Sequence, residues 1–387
     1  FEFERISQVL QQKAHETVLE VNLDAMVHNL NHYRSKLKPG VKTMAMVKAF
    51  SYGSGSFEIA NLLRFHQVDY LAVAYADEGV ELRKAGIHLP VMVMSPEEQS
   101  LDLLLKYNLE PEIYNFHILD LICKAVERNQ TSLQDQVQVH VKLDTGMHRL
   151  GFGERDAEQL AARLKASSQL RVRSVFSHLA ASEDPAEDDF TRHQISLFDK
   201  LSKKITQNIE GPVLRHILNS AGITRFPDAQ FDMVRIGIGM YGVGVDREES
   251  LALRNVSTLK TVVTQVRRVP QGDTIGYNRQ GKADTEQVIA VVPVGYADGF
   301  DRRLGNGRGC MYVNGMPAPV IGNVCMDLTM LDVTGLVNGG QQIREGDEVI
   351  VFGDQHPVSE MAVGTGTIPY EVLTGISARV KRIYFHE

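Results

Sequence analysis

A lysine at the end of an apolar run is the residue of this 387-residue chain best placed for covalent chemistry. The run from Met44 to Val47 has no polar alternation, which is typical of a strand buried on both faces in a parallel sheet. Lys48 follows at the strand end, the edge where α/β folds build their sites. Burial lowers the pKa of a lysine, and this suits its amine to a Schiff base with an aldehyde cofactor. The alternative is a lysine whose stem packs at the strand end while its head stays in water.

The predicted loop after this lysine contains a tyrosine and two glycines, and it opens a helix over Ser56 to Phe65, where anions are favoured. The stretch Val47-Lys48-Ala49-x-x-Tyr52-Gly53-x-Gly55 resembles the pyridoxal-phosphate lysine motif of bacterial alanine racemases. It departs from the usual pattern at Phe50-Ser51, where Asp-Ala is common, and at Ser54, where histidine is common. The resemblance implies that Lys48 carries pyridoxal 5'-phosphate.

Three charged residues follow a second predicted strand. Lys142, Asp144 and Arg149 belong to the stretch Lys-Leu-Asp-Thr-Gly-Met-His-Arg-Leu-Gly, and the strand end would cluster them. Alone, such a group fits a salt-bridged structural cluster as well as a site. The stretch is similar to an alanine racemase motif, with His148 where glycine is common. The resemblance implies that Arg149 hydrogen-bonds the phenolic oxygen of the cofactor and the substrate carboxylate. Lys142 would orient this arginine, and in several members the lysine is carbamylated.

A glycine-rich stretch, Arg235-Ile-Gly237-Ile-Gly239-Met-Tyr241-Gly242, contains the spacing G-x-G-x-x-G. We exclude a dinucleotide fingerprint, because the stretch comes late and no Asp or Glu occurs about 20 residues on to bind ribose. Its backbone N–H groups can still bind one phosphate. By the resemblance, Gly237 and Ile238 do so, together with the side chains of Tyr52, Ser220 and Tyr370. Arg235 would face the pyridine nitrogen and donate a hydrogen bond without giving up a proton.

Two shorter matches complete the barrel half of the predicted site. His178, in Ser177-His178-Leu-Ala, matches the family histidine beside the cofactor ring, and Asn219-Ser220 would alone be only a helix cap. The remaining histidines have no ligand spacing, and we predict no role for them and no metal site. H-E-x-x-H, Walker and G-x-S-x-G motifs do not occur, so metal hydrolysis, nucleotide triphosphate use and serine acyl transfer lack support.

Further motifs lie in the last third of the chain. Gly276-Tyr277 is similar to the catalytic tyrosine loop of the family, and Ile368-Pro-Tyr370 to a phosphate-contacting motif. The stretches Val292–Gly299 and Gly322–Asp327 match family motifs closely, although as isolated strings both fit turns. The resemblance implies that Tyr277 is the second catalytic residue and binds substrate with Arg149 and Met326. It also implies a homodimer in which Tyr277 and Met326 reach the barrel of the partner subunit.

Strand-like runs alternate with helical patterns over the first two thirds of the chain. The predicted strands are Val18–Val21, Thr43–Val47, Tyr70–Ala74, Val91–Met94, Glu110–Ile113, Val137–Leu143, Val172–Ser177, Leu214–Asn219 and Met233–Ile236. The predicted helices between them are Leu23–Leu37, Ser56–Phe65, Asp77–Ala85, Glu97–Tyr107, Phe116–Asn129, Ala157–Ala166 and Asp188–Gln207. This alternation favours a (β/α)8 TIM barrel. Nine strands exceed eight, and we expect Val18–Val21 to lie outside the barrel.

After Tyr241 the helical periodicity fades and turn signals separate β-branched runs. The predicted strands there are Thr258–Val269, Val288–Pro293, Cys310–Val313, Pro319–Ile321, Asp327–Val333 and Glu348–Phe352. The expected fold class is therefore α/β, with an N-terminal (β/α)8 TIM barrel followed by a C-terminal mostly-β domain. We predict a lead-in or linker over 1–16, the pyridoxal-phosphate-binding barrel over 17–241 and the β domain over 242–387. The resemblance implies the same architecture, that of fold-type III pyridoxal-phosphate enzymes.

Composition limits the partners. A net charge of -7 argues against a general nucleic-acid or membrane-surface binder, and no apolar run approaches the length of a membrane span. The three cysteines have neither C-x-x-C nor zinc spacing, and we interpret them as reduced thiols of a cytoplasmic protein. The chain begins at Phe1 rather than Met, so it was either trimmed or cut from a longer polypeptide. In some bacteria this racemase is fused behind a cell-wall peptide ligase, which is one expectation for what precedes residue 1.

The resemblance spans roughly Val18 to Arg382, with the motifs in family order. It implies a pyridoxal-phosphate-dependent interconversion of L- and D-alanine that supplies D-alanine for peptidoglycan. Racemisation needs an acid or base on each face of a planar carbanion, and Lys48 and Tyr277 would serve the two faces. Two alternatives stay open: a racemase of the same fold for serine or another amino acid, and a pyridoxal-phosphate-binding regulatory protein without turnover. The β domain that carries Tyr277 argues against the second alternative.

Overall fold

The computed structural model describes residues 14–129 and 136–387. The chain divides into two compact units. The barrel unit consists of Met26–Ser51 and Gly55–Arg254, and the β unit of Asn255–Glu387 with Tyr52–Ser54 and the described residues up to Ala25. Within the described part of the chain, no helix is both long and apolar enough to cross a membrane.

The barrel unit contains one sheet of eight parallel strands. In order along the chain these are Lys42–Met46, Tyr70–Val73, Val91–Val93, Glu110–Ile113, Val137–Lys142, Leu170–Phe176, Leu214–His216 and Met233–Ile236. The first seven strands pair in sequence order, and the eighth, Met233–Ile236, pairs with the first. The remaining gap is bridged by backbone hydrogen bonds from Asp232 to Arg215 and from Arg235 to Leu218, both 3.0 Å. The sheet therefore closes into the predicted (β/α)8 barrel.

One helix precedes the first barrel strand, and the others follow barrel strands along the chain. They are Leu23–Ser35, Ser56–Phe65, Ala76–Lys84, Leu101–Lys106, Phe116–Arg128, Ala157–Ala166, Asp188–Thr206, Ser220–Arg225 and Arg247–Ala252. Phe116–Arg128 illustrates why they form: Asn115 caps its first turn by accepting a hydrogen bond from the N–H of Ile118. Its buried residues recur at helical spacing, and burying each large apolar side chain contributes about 1.5–3 kcal/mol.

The β unit contains three sheets. Six strands form the largest, in the order Met316–Pro319, Cys310–Val313, Glu348–Phe352, Ser257–Val262, Val18–Asn22 and Lys381–Phe385. A second sheet contains Gln265–Val269, Gln287–Val292 and Thr329–Asp332, and a third only Thr274–Ile275 and Gly281–Lys282. The unit also has three short helices, Thr334–Asn338, Val358–Thr365 and Pro369–Thr374. Val18–Asn22 pairs with Ser257–Val262 and Lys381–Phe385, which confirms that this strand lies outside the barrel.

Several boundaries differ from the sequence-based expectation. The predicted strand Thr258–Val269 is two strands in different sheets, broken at Val263 and Thr264. The strand predicted at Pro319–Ile321 is found at Met316–Pro319, so only Pro319 is common to the two ranges. The compact barrel unit itself runs to Arg254, and its described part begins after Val18–Asn22, while the predicted domain bounds 17–241 and 242–387 stay a prediction. Most of the predicted lead-in, residues 1–13, lies outside the described residues.

Candidate active site

The lysine predicted to do covalent chemistry lies where the first barrel strand ends. The strand Lys42–Met46 is buried at all positions but its first, and Lys48 follows it in a half-buried position. The N–H of Val47 donates to the carbonyl of Ala72 over 2.9 Å, and the hydroxyl of Tyr241 donates to the carbonyl of Met46 over 2.9 Å. Both bonds fix the backbone that presents the amine of Lys48.

The backbone after Lys48 makes a left-handed turn. Ala49, Phe50, Ser51 and Tyr52 all have φ between 50° and 56°. A left-handed residue other than glycine costs about 1–2 kcal/mol, and such conformations persist where the surrounding structure over-determines them, often at functional sites. The sequence predicted only an irregular loop here, because none of these four residue types signals positive φ.

Glu78 is one of the groups that hold this turn. Its Oε1 accepts a hydrogen bond of 2.5 Å from the N–H of Ala49. Its Oε2 accepts from the N–H groups of Ala74 and Tyr75, at 2.7 Å and 3.1 Å, at the start of the next helix. One carboxylate thus ties the lysine turn to a neighbouring βα loop. Sequence reasoning missed Glu78, since its position as an acidic residue early in a helix suggests only a cap.

Four cations meet in the barrel unit. Burial lowers the pKa of Lys48, and the nearby charges of Arg149, Lys142 and Arg235 lower it further, while Glu78 opposes them. A lysine with a lowered pKa has a larger neutral fraction, and only the neutral amine is a nucleophile or a base. The structure therefore brings together Lys48, Lys142, Arg149 and Arg235, which belong to three separate sequence motifs.

Lys142 faces a carboxylate that was not predicted. Its Nζ lies 3.3 Å from Oε1 of Glu112, and both side chains are buried. Burial raises the pKa of Glu112 to about 7, against the attraction of Lys142, Arg235 and Arg149. Neither oxygen of Glu112 has a hydrogen bond of good geometry to a described residue. Burial likewise lowers the pKa of Lys142. A signal existed in the sequence, since Glu112 interrupts a predicted buried strand.

Arg235 connects two histidines. Its Nη1 donates to Nδ1 of His216 over 2.7 Å, and its Nη2 lies 3.1 Å from Nδ1 of His178. Nη2 also donates to the carbonyls of Ser177 and Ile217, at 2.7 Å and 2.9 Å. Burial lowers the pKa of Arg235 to about 10, which leaves it a cation at neutral pH. Burial and the charge of Arg235 together hold the pKa values of His178 and His216 well below the ordinary range, so both rings are neutral.

The glycine-rich turn contacts Ser220. The N–H of Gly237 donates to Oγ of Ser220 over 2.9 Å, and Asn219 caps the helix that Ser220 begins. A Cβ on Gly239 would lie 2.0 Å from the hydroxyl oxygen of Tyr33, so only glycine fits there. The second glycine of the G-x-G-x-x-G spacing is thus explained by packing, in agreement with the exclusion of a dinucleotide site.

The remaining predicted residues belong to the β unit. The rings of Tyr52 and Tyr370 lie 5.8 Å apart, and burial raises the pKa of Tyr52. Tyr277 and Met326 are exposed, with relative accessibilities of 70% and 52% for the whole residues. Tyr277 projects from a tight turn in which Gly276 has φ 74°, and the amide of Asn323 donates to the carbonyl of Tyr277 over 3.0 Å. An aromatic side chain this exposed is available to an external partner.

Arg379 provides a structural explanation for two motifs that fit only turns when the sequence is considered alone. Arg379 donates to both carboxylate oxygens of Asp298, at 2.6 Å and 2.9 Å, and pairs with Asp327 at 2.8 Å. Asp298 also accepts from the N–H of Gly295 over 2.9 Å. The stretches Val292–Gly299 and Gly322–Asp327 are therefore joined through one guanidinium. Within the described residues, no group of three or more His, Cys, Asp or Glu could hold a metal ion.

The fold is a (β/α)8 barrel with a separate β unit, and the candidate site has a half-buried lysine at a strand end. Residues 21–244 match the family model for the alanine racemase N-terminal domain, and residues 256–384 match the model for its C-terminal domain. The chain belongs to the alanine racemase family and is an amino-acid racemase, an isomerase.

Named relatives agree with this assignment. The chain is 36% identical to the alanine racemase of Clostridium novyi (strain NT) over 376 residues, which cover 94% of each chain. It superposes on the alanine racemase of Clostridium difficile 630 with a TM-score of 0.88 and 32% identity, over 96% of each chain. A crystal structure of the Bartonella henselae alanine racemase with covalently bound pyridoxal phosphate has a TM-score of 0.84 and 26% identity, over 96% of this chain and 99% of that one.

Proposed function

We propose that the enzyme interconverts L- and D-alanine with pyridoxal 5'-phosphate held on Lys48, and that Lys48 and Tyr277 act on opposite faces of the substrate. The observation that carries this proposal is the position of Lys48 at a strand end among Lys142, Arg149 and Arg235, which lower its pKa. An amine with a lowered pKa has a larger neutral fraction, and it is the neutral form that can bind an aldehyde and later serve as a base.

The residues present fit the cofactor. The cations around Lys48 outnumber the carboxylates of Glu78 and Glu112, so the site favours an anionic cofactor and an anionic substrate. The N–H groups of Gly237 and Ile238 and the hydroxyl of Ser220 are of the kind that binds phosphate. Tyr52 and Tyr370 would complete the phosphate site. When bound, pyridoxal phosphate stabilises the negative charge left at Cα after a proton is removed.

Arg235 would set how strongly the pyridine ring attracts electrons. Since a guanidinium donates hydrogen bonds and keeps its protons, it would leave the ring nitrogen unprotonated. Its acceptors, which include His216 and the carbonyls of Ser177 and Ile217, fix the orientation of the guanidinium. A weakly electron-attracting ring suits the removal and return of one proton better than transamination.

Arg149 would bind the substrate carboxylate, with Lys142 beside it as a positioning residue. Lys142 has a lowered pKa, which supports carbamylation because carbon dioxide reacts with neutral amines. Glu112, 3.3 Å away, is a competing source of negative charge. Carbamylation of Lys142 therefore stays a prediction.

Tyr277 and Met326 would reach the site from the partner subunit of a homodimer. Their exposure supports this assignment, because an exposed tyrosine and methionine are available to a second copy of the chain. A free tyrosine titrates near 10, so the site must favour the phenolate. His178 supports this role: its Nδ1 accepts from Arg235, which leaves its Nε2–H to donate to a phenolate. We place the reaction in the cytoplasm, supplying D-alanine for peptidoglycan, and the three free thiols fit that compartment.

Two measurements test the proposal. Borohydride reduction of the purified holoenzyme followed by peptide mapping should place the cofactor on Lys48, and an adduct on any other lysine would contradict the assignment. A coupled assay over a panel of L-amino acids should give the highest kcat/KM with alanine. A preference for serine would overturn the substrate assignment while leaving the lysine assignment intact.

A further inference from the structure

A chain of buried polar side chains crosses the interior of the barrel. Arg235 bonds His216 at 2.7 Å, His216 Nε2 lies 2.9 Å from Oγ of Ser174, and that Oγ lies 2.6 Å from Nδ1 of His140. His140 Nε2 then lies 2.8 Å from Oε2 of Glu110. All five side chains are at least nine-tenths buried. Four of them have no part in the proposed chemistry, and the sequence indicated a role for none of the four.

The direction of each hydrogen bond follows from the two ends of the chain of side chains. Arginine only donates, so Nδ1 of His216 accepts, and its proton resides on Nε2, which donates to Ser174. At the other end the carboxylate of Glu110 accepts from Nε2–H of His140, which leaves Nδ1 of a singly protonated His140 to accept from the hydroxyl of Ser174. With both rings singly protonated, all four bonds point from the arginine to the carboxylate.

The ends of the chain lie at different depths of the barrel. Glu110 is the first residue of its strand, Glu110–Ile113, whereas Arg235 is the third of Met233–Ile236. Glu110 is also within reach of the hydroxyl of Tyr70 and interacts with the charges of Arg83 and Arg173. Phe176 stacks on His216 with 5.0 Å between ring centroids and an interplanar angle of 6°, which holds the imidazole in plane.

We propose that Glu110 is a positioning residue for Arg235 and acts through His140, Ser174 and His216. Its carboxylate fixes the tautomer of His140, as Arg235 fixes that of His216, and the aligned dipoles orient the guanidinium toward the cofactor ring. The inference rests on the proposed function only for what Arg235 does at that ring. A chain of hydrogen bonds in which every dipole points the same way strengthens cooperatively, so a change at one end is felt at the other.

NMR of the histidine rings tests the direction of these hydrogen bonds independently of enzymatic activity. Full-length protein is labelled with ¹⁵N-histidine, and the signals are assigned with His140→Gln and His216→Gln variants. Both rings should be neutral with the proton on Nε2, in cofactor-free protein as well as in holoenzyme. A proton on Nδ1 of either ring would overturn the proposal. If this result is obtained but the cofactor maps to a lysine other than Lys48, the proposed function is wrong and the proposed hydrogen-bonded chain of side chains is still supported.

A double-mutant cycle tests transmission. Glu110→Gln removes the charge at the end of the hydrogen-bonded chain, and Ser174→Ala interrupts that chain. Each variant should lower kcat about tenfold, because the loss of a hydrogen bond to a charged group raises the activation free energy by about the amount that a tenfold change in rate requires. The double variant should be no worse than either single variant, although Glu110 and Ser174 do not bond each other. Multiplying effects would show independent damage and contradict the proposal. Ser174→Thr, which keeps the hydroxyl, should restore most of the activity.

Glu249→Gln is the matched control. Glu249 is a buried carboxylate of the same unit that bonds Lys36 and Thr224 and lies outside the chain. Its variant should lose stability while keeping kcat and the His216 NMR signals unchanged. In Glu110→Gln, by contrast, the ¹⁵N signals of His216 should shift. If they stay in place while kcat falls, Glu110 is only a structural residue.

Discussion

Arg235 Nη2 lies 3.1 Å from Nδ1 of His178, and since arginine can only donate, this geometry fixes the histidine as an acceptor at Nδ1. His178 is consequently neutral, and its Nε2–H is a hydrogen-bond donor that points away from the arginine. Burial and four neighbouring cations, of which Arg235 acts most strongly, keep its pKa well below the ordinary range. The cation therefore sets the protonation of a residue that the family resemblance places beside the cofactor.

Replacing Arg235 should change which reaction the enzyme performs. In Arg235→Glu, a carboxylate would face the pyridine nitrogen and favour its protonation, so transamination to pyruvate should increase relative to racemisation. Racemisation itself should slow about tenfold or more, because a hydrogen bond to a charged group contributes about 1.5–3 kcal/mol. Pyruvate and D-alanine are measured in the same reaction. An unchanged product ratio in a folded variant would remove Arg235 from the site.

The stability of the protein should depend on pH through His216. Its folded pKa is lowered below the unfolded value of 6.5 by burial, Arg235 and His140, so below pH 6.5 the unfolded state binds more protons. The stabilisation is present above pH 6.5 and is lost as pH falls, by about 1.4 kcal/mol per pH unit. Denaturant unfolding at fixed protein concentration measures it.

His216→Gln isolates this effect. The glutamine amide can accept from Arg235 and donate to Ser174 without titrating, so the variant should lose less stability between pH 6.5 and 5 than the parent. The exposed His193 offers a control, since His193→Gln should keep the parental pH dependence. If the free energy of unfolding has the same pH dependence in the parent, His216→Gln and His193→Gln, His216 must be protonated in the native state.

Carbamylation of Lys142 should be controlled by Glu112. Two anions side by side in a buried site repel, so the carboxylate 3.3 Å from Nζ opposes a carbamate there. With ¹³C-bicarbonate, Glu112→Gln should give a stronger carbamate NMR signal than the parent, and Lys142→Ala should give none. A weaker signal in Glu112→Gln would contradict this relationship.

Much of the barrel was predictable because its strands are buried on both faces. The alternation of strand-like and helical patterns gave the bounds of Glu110–Ile113 and Met233–Ile236 as the structure has them, although both strands contain charged residues, and helical periodicity did so for Ser56–Phe65. In the β unit the same reasoning joined Ser257–Val262 to Gln265–Val269. The two residues between them, Val263 and Thr264, are β-branched and give no turn signal.

The site was predictable only where it forms local motifs. Lys48 and Arg235 are found from the residues around them, whereas Glu78, Glu112 and His216 act through partners distant in sequence. No spacing within one segment reports such pairs, since the closure of the barrel brings them together. The left-handed turn after Lys48 was invisible for a different reason: it is imposed by its surroundings against the local preference of its residues.

Tyr277 should act on one face of the substrate only. Tyr277→Ala should slow racemisation by about 10²–10⁴-fold while leaving the cofactor bound to Lys48. Removal of the α-proton should be impaired more for L-alanine than for D-alanine, because Lys48 still serves the other face. Deuterium exchange into each enantiomer measures this asymmetry. Equal impairment of both enantiomers would exclude Tyr277 as a face-specific acid or base.

Complementation between inactive variants tests the two-residue shared site most directly. Lys48→Ala and Tyr277→Ala proteins are mixed under conditions of subunit exchange, which tagged subunits verify. A mixed dimer holds one site with both Lys48 and Tyr277 intact, so random exchange should restore racemisation to about one quarter of the parental sites. Each variant exchanged with itself is the control and should stay inactive. If exchange occurs and no activity returns, Tyr277 does not complete the site of the partner subunit.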